Sequence, residues 1–345
     1  MRLALPWFGS RRAPARVVLH IGMSKCGSSS IQEHFVRHED AYRRQGVVYP
    51  KRYREKGFYR HLPLYESPRE LVPGRVAEIA AEARGARAVL LSCENWSERL
   101  DKGNAPVVAA ELARQFGAEN VTVLAYFRAP LGFLSSAYAQ FLIRKLFDVP
   151  KRAFFESPLP PGIGRFLETA AGVRGYERHD YLAEARRMAA CFPGVRLELR
   201  SFEREDLTGG DLIGDVCGLL GCTPETEAPV ANARRSPTSL LAIQHVQTVL
   251  PWEHRRPKRQ LFRSFRLSTA DDWSEADCRH RDLHVGPELA ARIAARFEAD
   301  RDEIAARFAS PVSGLLRVPP VPPLSDRALS AAEKAEVEEA FRPRT

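Results

Sequence analysis

The sequence predicts an α/β fold in three layers: a central parallel sheet flanked by helices, with a helical C-terminal region. Three observations predict it. Short strand-like runs recur at 17–22, 87–92, 121–127 and 195–200, that at 121–127 rich in β-branched and aromatic residues, with stretches of helical spacing between them. Such alternation calls for parallel strands joined by crossover helices. The first run ends at Gly22 in a loop of small residues, an order of strand, loop and helix that turns backbone N–H groups toward an anion. No run reaches the roughly 18 apolar residues that span a bilayer.

Each element follows from local chemistry. Residues 1–16 read as a flexible arm. Trp7 and Phe8 precede Arg11 and Arg12, whereas a signal peptide puts its charge first and has a longer apolar core. The arm is a candidate for loose contact with a membrane surface. Strand 17–22 leads to a helix near 28–45 and a short strand at 47–49 that stops at Pro50. Residues 51–66 are basic and aromatic and read as a loop. A helix near 68–84 precedes strand 87–92. The helix near 105–117 ends at Gly117, a fitting stop. Strand 121–127 runs into a helix near 131–146, with Pro130 where a helix can start. Residues 148–178, with Pro158, Pro160, Pro161 and four glycines, read as irregular. Helix 179–191, strand 195–200 and helix 209–220 add one more α/β unit. Helices near 237–249 and 287–308 follow. Pro319, Pro320, Pro322 and Pro323 make a stiff linker before a charged helix near 329–341.

Composition excludes some functions. Over 345 residues, hydrophobic content of 44% and charged content of 28% are those of an ordinary globular protein. The net charge of +9 favours anionic partners, yet at this length it is no nucleic-acid signature. Six scattered cysteines form no C-x-x-C pair and have no zinc-finger histidine spacing. They read as free thiols in a reducing cytoplasm, and no metal cluster is expected.

The loop after strand 17–22 carries the chemistry. Gly22 and Gly27 keep the spacing of a nucleotide P-loop, but Ser28 stands where that motif has its lysine, and Lys25 precedes the second glycine. Gly27 is free to adopt unusual backbone angles. Ser28, Ser29 and Ser30 add hydroxyl donors, and Lys25 adds a mobile cation. Together these suit a phosphate or sulfate group. A second candidate anchor follows strand 121–127. Arg128 could grip a phosphate as a planar fork, with Ser136 in the next helix donating a further bond. Strand ends of this kind face ligands in open α/β sheets.

These residues resemble the P-loop sulfotransferases, which use 3′-phosphoadenosine 5′-phosphosulfate (PAPS). Ser24-Lys25-Cys26-Gly27-Ser28-Ser29-Ser30 is similar to their 5′-phosphosulfate loop, with Ser24 for the usual proline and Cys26 for the usual threonine. Arg128-Ala129-Pro130 with Ser136-x-Tyr138 is similar to their 3′-phosphate motif. His20-Ile21-Gly22, Ser30-Ile31-Gln32, 46–50, 90–94 and 202–221 resemble a bacterial subgroup acting on carbohydrates or glycolipids. The likeness covers most of 17–240. It implies one α/β domain over 17–310, followed by the proline linker and helix of 311–345. It also implies that residues 24–30 hold the 5′ end of PAPS, that Arg128 and Ser136 hold the 3′-phosphate, and that no metal is required.

Sulfuryl transfer needs a base for the acceptor hydroxyl and a stabiliser for the departing phosphate. Lys25 is the candidate stabiliser. Glu94, directly beyond strand 87–92, and His61, in the loop 59–63, compete for the base, and family members use either residue type. The basic stretch 254–266 reads equally as a lid, as a groove for an anionic acceptor, or as solvated surface. Phe262 and Phe265 within it could stack on a sugar or adenine. Asn232, Arg235 and Ser236 are further candidates for nucleotide contact. Two other function classes stay open. One is a P-loop kinase or hydrolase, disfavoured by Ser28 and by the position of Asp101 away from a strand. The other is a non-catalytic binder of an anionic polymer.

Overall fold

The computed structural model describes residues 15–100, 104–175, 177, 179–225, 235–252, 259–269, 272–274, 277–308, 318 and 321–342. Trp7 and Phe8 of the arm, Asp101, Asn232, residues 254–258 of the basic stretch, and Pro319 and Pro320 lie outside these residues. In chain order the elements are β1 (Arg16–Gly22), α1 (Ser28–Arg37), α2 (Glu39–Arg44), β2 (Val47–Val48), α3 (Leu62–Tyr65), α4 (Val72–Glu82), β3 (Ala88–Ser92), α5 (Asn95–Glu98) and α6 (Ala105–Phe116). There follow β4 (Val121–Phe127), α7 (Pro130–Ile143), α8 (Lys151–Glu156), α9 (Ile163–Arg174), α10 (Tyr181–Cys191), β5 (Arg196–Ser201) and α11 (Leu212–Leu220). The last are α12 (Pro237–Val249), α13 (Arg259–Ser264), α14 (Pro287–Phe308) and α15 (Ala331–Phe341). The chain divides into two compact units. One comprises Met1–Phe127, Ala185–Ala231 and Ala305–Gly314; the other comprises Arg128–Glu184, Asn232–Ile304 and Leu315–Thr345.

The first unit holds the parallel sheet, in the order β2-β3-β1-β4-β5. Val17 of β1 pairs with Val89 on one side and Val121 on the other. All of β3 is buried, as is β1 after Arg16. Successive side chains in a strand point to opposite faces, so both faces must be covered. Helix α6, with α4 beside it, packs on β1 and β4, while α11, with α1 beside it, packs on β1 and β3. This is the α/β sandwich expected from the sequence. The crossover after β1 leads toward one edge and that after β4 toward the other, so the carboxyl end of β1 lies at the switch point where such sheets take ligands.

A buried ion pair ties β5 to α11. Asp215 is almost wholly inaccessible. Its carboxylate accepts from Tyr126 OH at 2.6 Å, Arg200 Nη2 at 2.8 Å, Thr208 N–H at 3.0 Å and Thr208 Oγ1 at 2.9 Å. Arg200 also donates to Glu198 at 2.7 Å. These bonds offset the cost of taking the Asp215 carboxylate out of water. Helix α11 then stops in a tight turn at Gly221 (φ 71°), where Cys222 N–H donates to Cys217 C=O at 3.0 Å and Gly221 N–H to Gly218 C=O at 3.2 Å. All six cysteines are free thiols.

The second unit is helical. α7 packs against α9, α12 and α13, and α12 packs against α8 and α15. Its centre is aromatic: Phe141 lies 4.7 Å from Phe166 and 5.7 Å from Phe155, and Phe147 lies 5.8 Å from Phe166. The expectation that 148–178 is irregular is corrected here, because α8 and α9 occupy much of it. Pro158, Pro160 and Pro161 fall between the two helices, and Pro150 stands directly before α8. Gly164 and Gly172 sit inside α9, at a cost of about 1 kcal/mol each relative to alanine. Burial of Phe154, Phe155, Ile163 and Phe166 outweighs that cost. Two further readings are adjusted. The helix expected over 28–45 breaks at His38, and 51–66 contains α3, whose Pro63 suits a first turn.

Phe262 and Phe265 are buried against Phe341 of α15, at 4.4 and 5.7 Å, so neither ring is available to stack on a ligand. Ser330 and Glu333 cap α15 reciprocally. Burial alone would raise the Glu333 carboxyl, yet hydrogen bonds from Ser330 N–H, Trp273, Thr269 and the Ser330 hydroxyl hold it at about 2. Among the described residues, no helix is long and apolar enough to cross a membrane.

Replacing Asp215 with alanine should lower stability by about 3 kcal/mol, the low end for a broken buried pair because Glu198 still pairs with Arg200. Urea denaturation of the purified variant measures this. A loss below about 1 kcal/mol would mean that the pair contributes little.

Candidate functional site

The site is built where β1 ends. Met23 N–H donates to Tyr126 C=O at 3.2 Å, which carries the pairing with β4 one step past the strand. The chain then turns through left-handed backbone at Gly22 (φ 98°), Lys25 (φ 68°) and Gly27 (φ 77°) before α1 begins. A lysine there is unusual, and such backbone strain gathers where a loop is shaped for a ligand. Gly27 precedes the first turn of α1, whose opening bond runs from Ile31 N–H to Gly27 C=O at 3.1 Å. A Cβ on Gly27 would collide with Leu212 and come within 2.9 Å of Phe202. No acidic residue stands in the first turn of α1, so its dipole and N–H groups meet no carboxylate of their own helix.

The hydroxyls of Ser24 and Ser28 are buried and have no hydrogen-bond partner among the described residues. Such a group costs about 1–3 kcal/mol, a cost that an anion drawn into the loop would offset. Ser29 is exposed, and Lys25 and Ser30 are half-buried. Cys26 is wholly buried. A thiol tolerates such a place more readily than the hydroxyl usual at that position in the resembling family.

Glu94 stands two residues beyond β3, and its backbone and Cβ lie against Gly22: a Cβ on that glycine would come within 3.0 Å of Glu94 Cβ. The carboxylate is about a quarter exposed. Gln32 of α1 donates to its Oε2 at 3.1 Å, and Arg60 donates to its Oε1 at 3.3 Å. Arg60 also donates to Asn95 at 2.9 Å and to Glu55 at 2.5 Å. Gln32 reaches Ser92 Oγ at 3.1 Å as well, and Ser92 Oγ lies 2.8 Å from His20 Nδ1. Sequence reasoning assigned no role to Gln32, Arg60, Ser92 or His20. The only signal was that His20, Gln32 and Ser92 fall inside the stretches that resemble the family.

His61 is neither solvated nor open. It is wholly buried, its Nδ1 accepts from Ser92 N–H at 3.2 Å, and its Nε2 donates to Pro50 C=O at 3.0 Å. Burial pushes its pKa down to about 4. Both ring nitrogens serve the backbone, which leaves no lone pair for a substrate proton.

Arg128 and Ser136 belong to the second unit. Arg128 is the residue after β4. Its C=O accepts from Tyr181 OH at 2.6 Å, and its guanidinium lies along Gly132 in the first turn of α7, where a Cβ would meet Nε at 3.1 Å. Ser136 is half-buried on the same helix. Tyr138 is buried and donates to Gln244 at 2.7 Å. Arg235 donates to Phe265 C=O at 2.9 Å, and Ser236 caps α12. Among the described residues, no group of three His, Cys, Asp or Glu side chains could hold a metal ion.

No protein-family model matches the chain, and no curated protein matches it. Among solved structures, the chain is similar to the crystal structure of a sulfotransferase from Alicyclobacillus acidocaldarius. The identity is 16%, the match covers 69% of this chain and 95% of that one, and the TM-score is 0.36.

Proposed function

We propose that the chain is a sulfotransferase that moves a sulfuryl group from PAPS to a hydroxyl of a carbohydrate or glycolipid. The observation that carries this is the loop at the end of β1. It presents strained backbone, Lys25 and the buried hydroxyls of Ser24 and Ser28, without a partner among the described residues, at the start of a helix with no first-turn acid. Ser28 occupies the place where a nucleotide-triphosphate loop has its lysine, which favours a phosphosulfate over a triphosphate.

In this scheme residues 24–30 hold the 5′-phosphosulfate. Arg128 and Ser136 take the 3′-phosphate, an assignment that rests on their resemblance to the family motif. The acceptor oxygen attacks sulfur, the bond from sulfur to the bridging oxygen breaks, and the acceptor proton passes to Glu94. Lys25 and the loop amides stabilise the charge that gathers on the departing phosphate. His61 is set aside as base because both of its ring nitrogens are engaged. This chemistry calls for no metal. Six free thiols suit a reducing cytoplasm.

Calorimetry should detect binding of 3′-phosphoadenosine 5′-phosphate without magnesium, and Arg128→Ala should weaken it by about 10- to 100-fold, the worth of a charged hydrogen bond. Unchanged affinity would remove Arg128 from the 3′-phosphate site, and a preference for magnesium-ATP would favour a kinase or hydrolase instead. Transfer from labelled PAPS can be screened on octyl glucoside, oligosaccharides, glycolipid vesicles and simple alcohols. With an acceptor in hand, Glu94→Gln should cut turnover by roughly 10²- to 10⁴-fold while nucleotide affinity stays the same. Full activity in that variant would assign the base elsewhere.

A further inference from the structure

Gln32 is the fifth residue of α1 and is 2% exposed. The face of α1 that carries it is buried, and both donors of the amide are used. The nitrogen lies 3.1 Å from Glu94 Oε2 and 3.1 Å from Ser92 Oγ. An ionised carboxylate only accepts, so the nitrogen end of the amide must face Glu94. The second N–H then goes to Ser92 Oγ, which lies 2.8 Å from His20 Nδ1. His20 is wholly buried, and burial pushes its pKa down to about 4. The chain of bonds joins β1, β3 and α1, three elements that meet at the anion loop.

We propose that Gln32 is a positioning residue: it fixes the Glu94 carboxylate relative to α1, so that the base and the loop at the start of that helix keep one geometry. The proposal rests on Glu94 being the base. Glu94 has a second tie to the loop through its packing on Gly22, and a third bond from Arg60 on its other oxygen. Gln32 differs from both because it belongs to the helix that the loop opens. Without its amide, one carboxylate oxygen is free to turn, and a misplacement of about 1 Å costs on the order of 10²-fold in rate.

The test is a double-mutant cycle on the full chain, with labelled PAPS as donor and octyl glucoside as acceptor. Gln32→Leu removes the donors; Gln32→Met keeps an unbranched shape and replaces it if the leucine variant does not fold. The expected result is a fall in kcat of about 10- to 100-fold, with KM for PAPS and the Kd for 3′-phosphoadenosine 5′-phosphate within about twofold of the parent. In a Glu94→Gln background the same substitution should change the remaining rate by less than about twofold. A Gln32 with only a structural role would slow both backgrounds by the same factor, and that result overturns the proposal. Unchanged kcat in the single variant overturns it too, as does a loss of nucleotide binding. If Glu94→Gln alone keeps full activity, the base assignment is what fails, a result distinct from the others because it needs no Gln32 variant.

Discussion

The turn between β1 and α1 admits only a narrow choice of residues, and much of the first unit is arranged around it. Gly27 sits at φ 77° with Leu212 and Phe202 packed where a side chain would go. Either condition alone would favour glycine; together they leave little alternative. Phe202 follows β5 directly, and Leu212 opens α11. The elements that close over the loop are thus the same ones that Asp215 and Arg200 hold together several residues away. That ion pair is costly to desolvate, and the loop shows why its geometry matters: a shift of α11 would move Leu212 against Gly27.

The same economy of placement appears on the other side of the loop. Gly22 is also left-handed, and Glu94 with Ser97 fills the space its side chain would take. The two glycines therefore mark two close approaches. One brings the support of the helix N-terminus, the other brings the candidate base. Gln32 links the sides through the interior, since it stands one turn into α1 and reaches across to Ser92 and Glu94. A proposed anion cradle and a proposed proton acceptor built on separate, loosely joined elements could drift apart. Here the loop and Glu94 share packing at Gly22 and a hydrogen-bonded chain through Gln32.

What could be read in the sequence follows from the range of the interactions involved. β1, β4 and the loop were legible because strand runs, glycine spacing and a displaced lysine are local patterns. α8 and α9 were not, because local signals counted the prolines and glycines of 148–178, whereas the helices are held by Phe141 and Phe147 from outside most of that stretch. His61 looked like a loop residue among charged neighbours. Its burial depends on Ser92 N–H, 31 residues away, and on Pro50 C=O. Gln32 could be noticed but not interpreted, since its two partners lie 60 and 62 residues further on. The packing of Phe262 on Phe341 spans a still greater separation, and nothing nearby in sequence hints at it.

The bonding around Glu94 bears on how a carboxylate can be both held and open. A bidentate grip by one arginine would orient it firmly but direct both oxygens at the same partner. Here each oxygen receives one donor from a different side, Gln32 on Oε2 and Arg60 on Oε1. Each oxygen has two lone-pair directions, so one direction remains on each after these bonds. Arg60 is itself divided: its Nε is 2.5 Å from Glu55, closer than the 3.3 Å from its Nη1 to Glu94. Glu55 thus anchors the guanidinium, and the guanidinium steadies Glu94 by the longer of its contacts. Two single donors restrict rotation of the carboxylate as well as one fork does, and they leave it able to accept a further hydrogen bond from the solvent side, where a quarter of its surface is exposed.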